Sequence, residues 1–161
     1  MRLPYAVLKL SFNFRSSAAD VFGWWTELEP KGYVGRSLKR ISVLERAPGH
    51  AKVKTEWSFA GRRFEMDEEL VIVSDRLWVW YSIFLGVPAK ETFRLDVTAE
   101  GCTLDILSEM TPRSWRILLF LLIGWYWRRQ DRLEWRAAAA SCVQELQTGW
   151  KSTAQELSRQ N

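Results

Sequence analysis

The sequence predicts an α+β domain in which a seven-stranded, curved antiparallel sheet is covered by a long C-terminal helix. Three observations lead there. Residues 6–14 alternate apolar and polar side chains with period two, six β-rich runs separated by turn residues follow between 38 and 110, and few helix breakers occur from Pro112 to Gly149. At 161 residues the chain has the length of one domain, expected over 1–149 with a polar tail over 150–161. A chain of this size buries roughly 68–70% of its unfolded surface, so it can hold a core without disulfides.

The elements follow in chain order. Ala6, Leu8, Leu10, Phe12 and Phe14 share one side of the first strand. Ser17-Ala18-Ala19-Asp20 has the capping-box form and precedes Val21, Phe22, Trp25 and Leu28 at helical spacing, so a short helix ends before Pro30. Lys31-Gly32-Tyr33-Val34-Gly35 is expected as a loop or a broken helical turn. Strands are expected at 38–46, 51–59, 62–73, 77–85, 90–98 and 102–110, with turns at Pro48-Gly49, Ala60-Gly61, Asp75, Gly86 and Gly101.

After Thr111-Pro112, Ser114 can cap a helix. A straight helix over 115–157 would be about 65 Å long, whereas a globule of this size is about 40 Å across. The expected solution is a break at Gly124, leaving a short apolar helix at 115–123 and a main helix at 126–149 of about 36 Å. The main helix would carry Trp135, Ala139, Cys142, Val143, Leu146 and Trp150 on one stripe, with Arg128, Arg132 and Arg136 beside it.

Composition excludes several classes. Cys102 and Cys142 form no CxxC and have no histidine pair beside them, which argues against a disulfide scaffold, a zinc finger or a thioredoxin-type site and favours a reducing, cytoplasmic setting. The formal charge of +4 is modest and the basic residues are interleaved with acids, so no nucleic-acid partner is expected. No secretion signal is visible, and the apolar run 117–127 is about half the roughly twenty residues that a spanning helix needs. No phosphate-cradling glycine loop or GxSxG occurs, and no cofactor or metal is expected. Ten tryptophans are the compositional outlier.

The order of elements resembles the helix-grip fold of the SRPBCC superfamily, which includes START-like lipid-transfer domains, birch-pollen-allergen-like proteins and polyketide cyclase/dehydratases. The resemblance covers about residues 3–149. It is carried by Ser17-Ala18-Ala19-Asp20-Val21-Phe22-Gly23-Trp24-Trp25-Thr26, similar to the superfamily's first-helix start, and by Gly101-Cys102-Thr103-Leu104, similar to its turn into the last strand. The resemblance implies short N-terminal helices, a sheet wrapped around the last helix and a ligand cavity between them. It implies no reaction.

Strand parity nominates Trp57, Phe59, Phe64, Met66, Trp78, Trp80, Phe93, Leu95, Leu104 and Ile106, with Trp135 from the helix, as the ligand-binding set. The same residues could simply fill a core, although indole N–H groups favour sites and rims over a fully dry interior. Glu68 shares parity with Phe64, Met66, Leu70 and Ile72, which would desolvate its carboxyl and make it the candidate catalytic acid or base. Against this, the run Glu65-Met66-Asp67-Glu68-Glu69 also fits a solvated strand edge, and one bulge would reverse the parity. Asp105, Glu109, Arg94 and Asp96 are expected to face out, and His50 to sit on the surface in a turn. Cys142 fits a small buried hydrophobe. The arginines at 128, 129, 132 and 136 fit a solvated helix face paired with Asp131 and Glu134.

The expected function is binding, with or without transport, of a hydrophobic small molecule such as a lipid, isoprenoid or polyketide-like compound. The rival is a cyclase/dehydratase-like enzyme using Glu68. A third class is a docking module, because residues 115–127 have almost no polar face and would need cover from the domain, from a second copy in a homodimer or from a membrane surface.

Overall fold

The computed structural model describes residues 6–28, 37–59, 61–84, 86–112 and 116–148. Strand β1 (Ala6–Phe14) and helix α1 (Ala18–Thr26) are followed by β2 (Leu38–Ala47), β3 (His50–Phe59), β4 (Arg62–Ser74), β5 (Leu77–Phe84), β6 (Val87–Thr98), β7 (Gly101–Met110) and helix α2 (Arg116–Gln147). All strands join one antiparallel sheet in the order β1-β7-β6-β5-β4-β3-β2. The architecture is the helix-grip α+β fold expected from the sequence.

Local chemistry explains the boundaries. Ser17 caps α1, its hydroxyl oxygen accepting from the Asp20 backbone N–H at 3.1 Å while its O–H donates to the Asp20 carboxylate at 2.6 Å. Gly49, Gly61 and Gly86 take the tight turns at φ near +75°. Irregularities at Leu38/Arg40 and Val43/Glu45 in β2, and at Ile72/Ser74 in β4, bend the sheet around its apolar face.

The last helix departs from expectation. It runs unbroken from Arg116 to Gln147 through Gly124, about 48 Å of helix. The spherical estimate failed because the sheet is elongated: β4 alone has 13 residues, roughly 43 Å of extended chain. Val143, placed on the inward stripe by spacing, is 36% exposed. The expected cap Ser114, the loop 31–35, Trp150 and the tail 150–161 lie outside the described residues.

One end of the sheet is filled solid. Phe22 from α1 meets Trp78 edge-on at 5.5 Å, Trp25 lies 5.5 Å from Phe93, and Trp78 stacks on Phe93 at 5.3 Å. Trp135 of α2 closes over Phe93 at 5.2 Å. Val21, Trp24, Leu95, Leu104, Ile106, Ala138 and Cys142 complete this buried cluster.

Candidate functional site

Beside Trp24 and Trp25 of α1, the sheet and α2 border an open-mouthed cavity of about 130 Å³. Its sheet wall is built from cross-strand rows. In one row Val53 faces Glu68, Glu68 faces Ser82, Ser82 faces Ala89 and Ala89 faces Met110. In the next, Leu70 faces Trp80, Trp80 faces Glu91 and Glu91 faces Ser108. Opposed residues point to the same face, so both glutamates are carried to the apolar side by register. Because the β4 irregularity comes after Ile72, the parity of Phe64, Met66 and Glu68 is undisturbed.

Six tryptophans reach the cavity: Trp24, Trp25, Trp57, Trp80, Trp127 and Trp135. Five carboxyls do so as well: Glu27 just after α1, Glu68, Glu91, and Asp131 and Glu134 of α2. Among the described lining residues none is Lys, Arg or His.

The carboxyls differ in their support. Glu134, 3% exposed, accepts from the backbone N–H of Ser37 at 2.8 Å and of Leu38 at 3.4 Å, anchoring the start of β2 to α2. Glu68 Oε1 accepts from Thr55 Oγ1 at 2.8 Å and Trp57 Nε1 at 3.2 Å, and the same indole N–H also reaches Thr55 Oγ1 at 2.8 Å. Burial outweighs these donors and pushes the Glu68 carboxyl up to about 7. Asp131 is likewise pushed up to about 7 by burial; Ser108 and Trp135 oppose the shift and the Glu134 charge adds to it. Yet Asp131 Oδ2, Ser108 Oγ and Trp135 Nε1 are buried without completing a hydrogen bond. Glu91 is raised well above the usual carboxylate range, by burial first and then by the charges of Asp131 and Glu68.

The residues nominated from sequence therefore divide. Trp57, Phe64, Met66, Trp80, Trp135 and Glu68 line the cavity. Trp78, Phe93, Leu95, Leu104 and Ile106 share the inward face but lie in the solid core under α1 and outside the cavity wall. Phe59 lies in β3, and its side chain is outside the described residues. Spacing missed Glu91, which has the parity of Phe93 and Leu95. It also paired Asp131 and Glu134 with the surface arginines, whereas both carboxyls turn into the cavity while Arg128, Arg129, Arg132 and Arg136 are exposed. Asp131 is four residues before Trp135 and Glu134 four before Ala138, so the inward stripe extended backward one turn would have found both.

His50 is the first residue of β3, its Nε2 2.6 Å from Glu69 Oε1. Asp105, Arg94 and Asp96 face solvent. Among the described residues no group of acidic, histidine or cysteine side chains could hold a metal ion. No helix among them is long and apolar enough to cross a membrane. Of the segment 115–127, the side chains at 115–123 lie outside the described residues; Trp125 is 59% exposed and Trp127 faces the cavity.

Fold and cavity together give this chain a helix-grip architecture, with a candidate site at the sheet–helix mouth. Comparison with solved structures agrees at the level of fold. The chain superposes on the di-domain aromatase/cyclase StfQ of the steffimycin pathway with a TM-score of 0.70 at 12% identity, covering 88% of this chain and 53% of that one. This chain thus spans about half the length of the di-domain protein. The Streptomyces aromatase/cyclase ZhuI gives 0.69 at 11% identity over 87% of this chain and 94% of that one. Ara h 8.0201 gives 0.61 at 10% identity over 86% and 97%. No family model and no curated protein sequence matches the chain.

Proposed function

We propose that the protein binds a small hydrophobic molecule in the sheet–helix cavity, with a polar group of that molecule held at the Glu68, Glu91 and Asp131 end. The observation that carries this reading is an open-mouthed cavity with aromatic walls and carboxyls converging on it from β4, β6 and α2. Its volume of about 130 Å³ is close to the roughly 150 Å³ of an engineered apolar cavity that takes up benzene. It has room for one ring-sized portion of a ligand, the remainder extending through the mouth. Isothermal titration with toluene or indole tests this, beside an Ala89→Phe variant that fills the space. Micromolar-to-millimolar binding that the variant abolishes is the expected result; binding indifferent to Ala89→Phe would place it elsewhere.

A second reading, acid/base catalysis on the bound molecule, is favoured by Glu68 and Asp131 both standing near 7 beside the cavity. A carboxyl in that range can give and take a proton at neutral pH, as a cyclisation or dehydration requires. Aldol cyclisation of 2,6-heptanedione to 3-methylcyclohex-2-enone with release of one water, lost in Glu68→Gln while toluene still binds, is the outcome that would support it. Trp125, 59% exposed on α2, motivates the contact surface over 115–127; sedimentation and liposome flotation of the protein and of Trp125→Glu test for self-association or membrane contact.

A further inference from the structure

Six tryptophans and five carboxyls, with no basic residue among the described lining, make an unusual wall for a cavity meant only for neutral molecules. We infer that the ligand is an organic cation, an ammonium group carried on a ring-sized apolar body. The inference rests on the cavity being the binding site proposed above, and specifies the chemistry it accepts.

The geometry supplies both kinds of recognition that such a cation needs. Indole faces attract an ammonium through the ring quadrupole, most strongly where water is excluded. Carboxylates supply the counter-charge, and here Glu91 on β6 and Asp131 on α2 approach from opposite sides of the cavity closely enough for each charge to act on the same space. Asp131 lines the cavity with its Oδ2 buried and completing no hydrogen bond, the Ser108 hydroxyl and the Trp135 indole being the donors beside it. Glu134 is occupied by the Ser37 and Leu38 N–H groups, so it orients the site more than it contacts a ligand.

Without a ligand, burial, together with mutual repulsion for Glu91 and Asp131, raises Glu68, Glu91 and Asp131 and favours their protonated forms. A bound cation reverses that balance, because it stabilises the ionised forms. Binding should therefore release protons and tighten as pH rises. The groups that face the cation are Glu27, Glu68, Glu91, Asp131 and Glu134, all acidic.

Phenyltrimethylammonium and tert-butylbenzene have nearly the same shape and differ in one charge, and neither titrates. We expect the cation to bind at least tenfold more tightly than the hydrocarbon at pH 8, with the preference falling several-fold at pH 5. The two should compete, and Glu91→Gln or Asp131→Asn should each cut the cation-to-hydrocarbon affinity ratio by tenfold or more. The pH series on the unaltered protein remains decisive even if a variant does not fold. Hydrocarbon binding equal to or tighter than cation binding at pH 8 overturns the cation inference and leaves the cavity reading standing. Cation binding that neither competes with the hydrocarbon nor responds to the two variants also overturns it, as a surface effect. If neither compound binds, both readings fall.

Discussion

The Trp24 indole N–H donates to Glu145 Oε2 at 2.8 Å, joining α1 to the last turns of α2 across 121 positions of sequence. Trp24 is 2% exposed, so the bond lies at the edge of the core and fixes how α2 crosses the short helix. Trp24→Phe removes the N–H and part of the ring and should cost about 2 kcal/mol. Glu145→Gln keeps an acceptor and should cost under about 1 kcal/mol, as read by urea denaturation of both variants.

A pH dependence of stability follows from the cavity carboxyls. Glu68 stands at about 7 in the folded protein against an ordinary 4.5, so the folded state binds its proton more tightly than the unfolded chain does. The stability this gives is full below about pH 4.5 and is lost as pH rises through about 7; its size is roughly 3 kcal/mol. Asp131, also raised to about 7, acts with the same sign. The ligand-free protein should thus melt at a lower temperature at pH 8 than at pH 5.5. Glu68→Gln should be stabilised relative to the parent at pH 8 and nearly equal to it at pH 4.5. A melting temperature flat from pH 5.5 to 8 in the parent would contradict the assignment.

Glu134 offers a third test, because its carboxylate is the acceptor for two backbone donors at the start of β2. Glu134→Leu leaves the Leu38 N–H, in a residue only 3% exposed, without that acceptor. The expected loss is about 2–3 kcal/mol, with faster amide exchange at Ser37 and Leu38 than in the parent. Unchanged exchange at those two amides would show that the anchor is not formed.

Two glycines should respond in opposite directions. A Cβ on Gly101 would stand 2.0 Å from the Phe14 carbonyl oxygen, at a φ of +151°. Gly101→Ala should cost more than about 3 kcal/mol or prevent folding, since backbone must move. Gly124 is interior to α2, and a Cβ there meets nothing within 4 Å. Gly124→Ala should stabilise by up to about 1 kcal/mol through helix propensity. Thermal denaturation of the pair reads both signs.

Sequence alone determined the strands, because period two is a local property and turn residues mark its limits: the strand boundaries fell within about three residues, β6 beginning at Val87 where 90 was expected. For Glu68 it left the apolar face and a solvated strand edge both open, and only the continuous register of β4 holds it on the side of Phe64 and Met66. Only the tertiary structure decided which of those residues border empty space. Trp78 and Phe93 have the same parity as Trp80 and Glu91, but Phe22 and Trp25 of α1 pack on the first pair while the second lines the cavity. Where a helix lands on a curved sheet depends on long-range packing, which no local period encodes. The same holds for Asp131 and Glu134, whose spacing fits either an arginine-paired surface or a buried wall. What turned them inward was the path of α2 across the sheet, held by Trp135 against Phe93 and by Glu145 against Trp24.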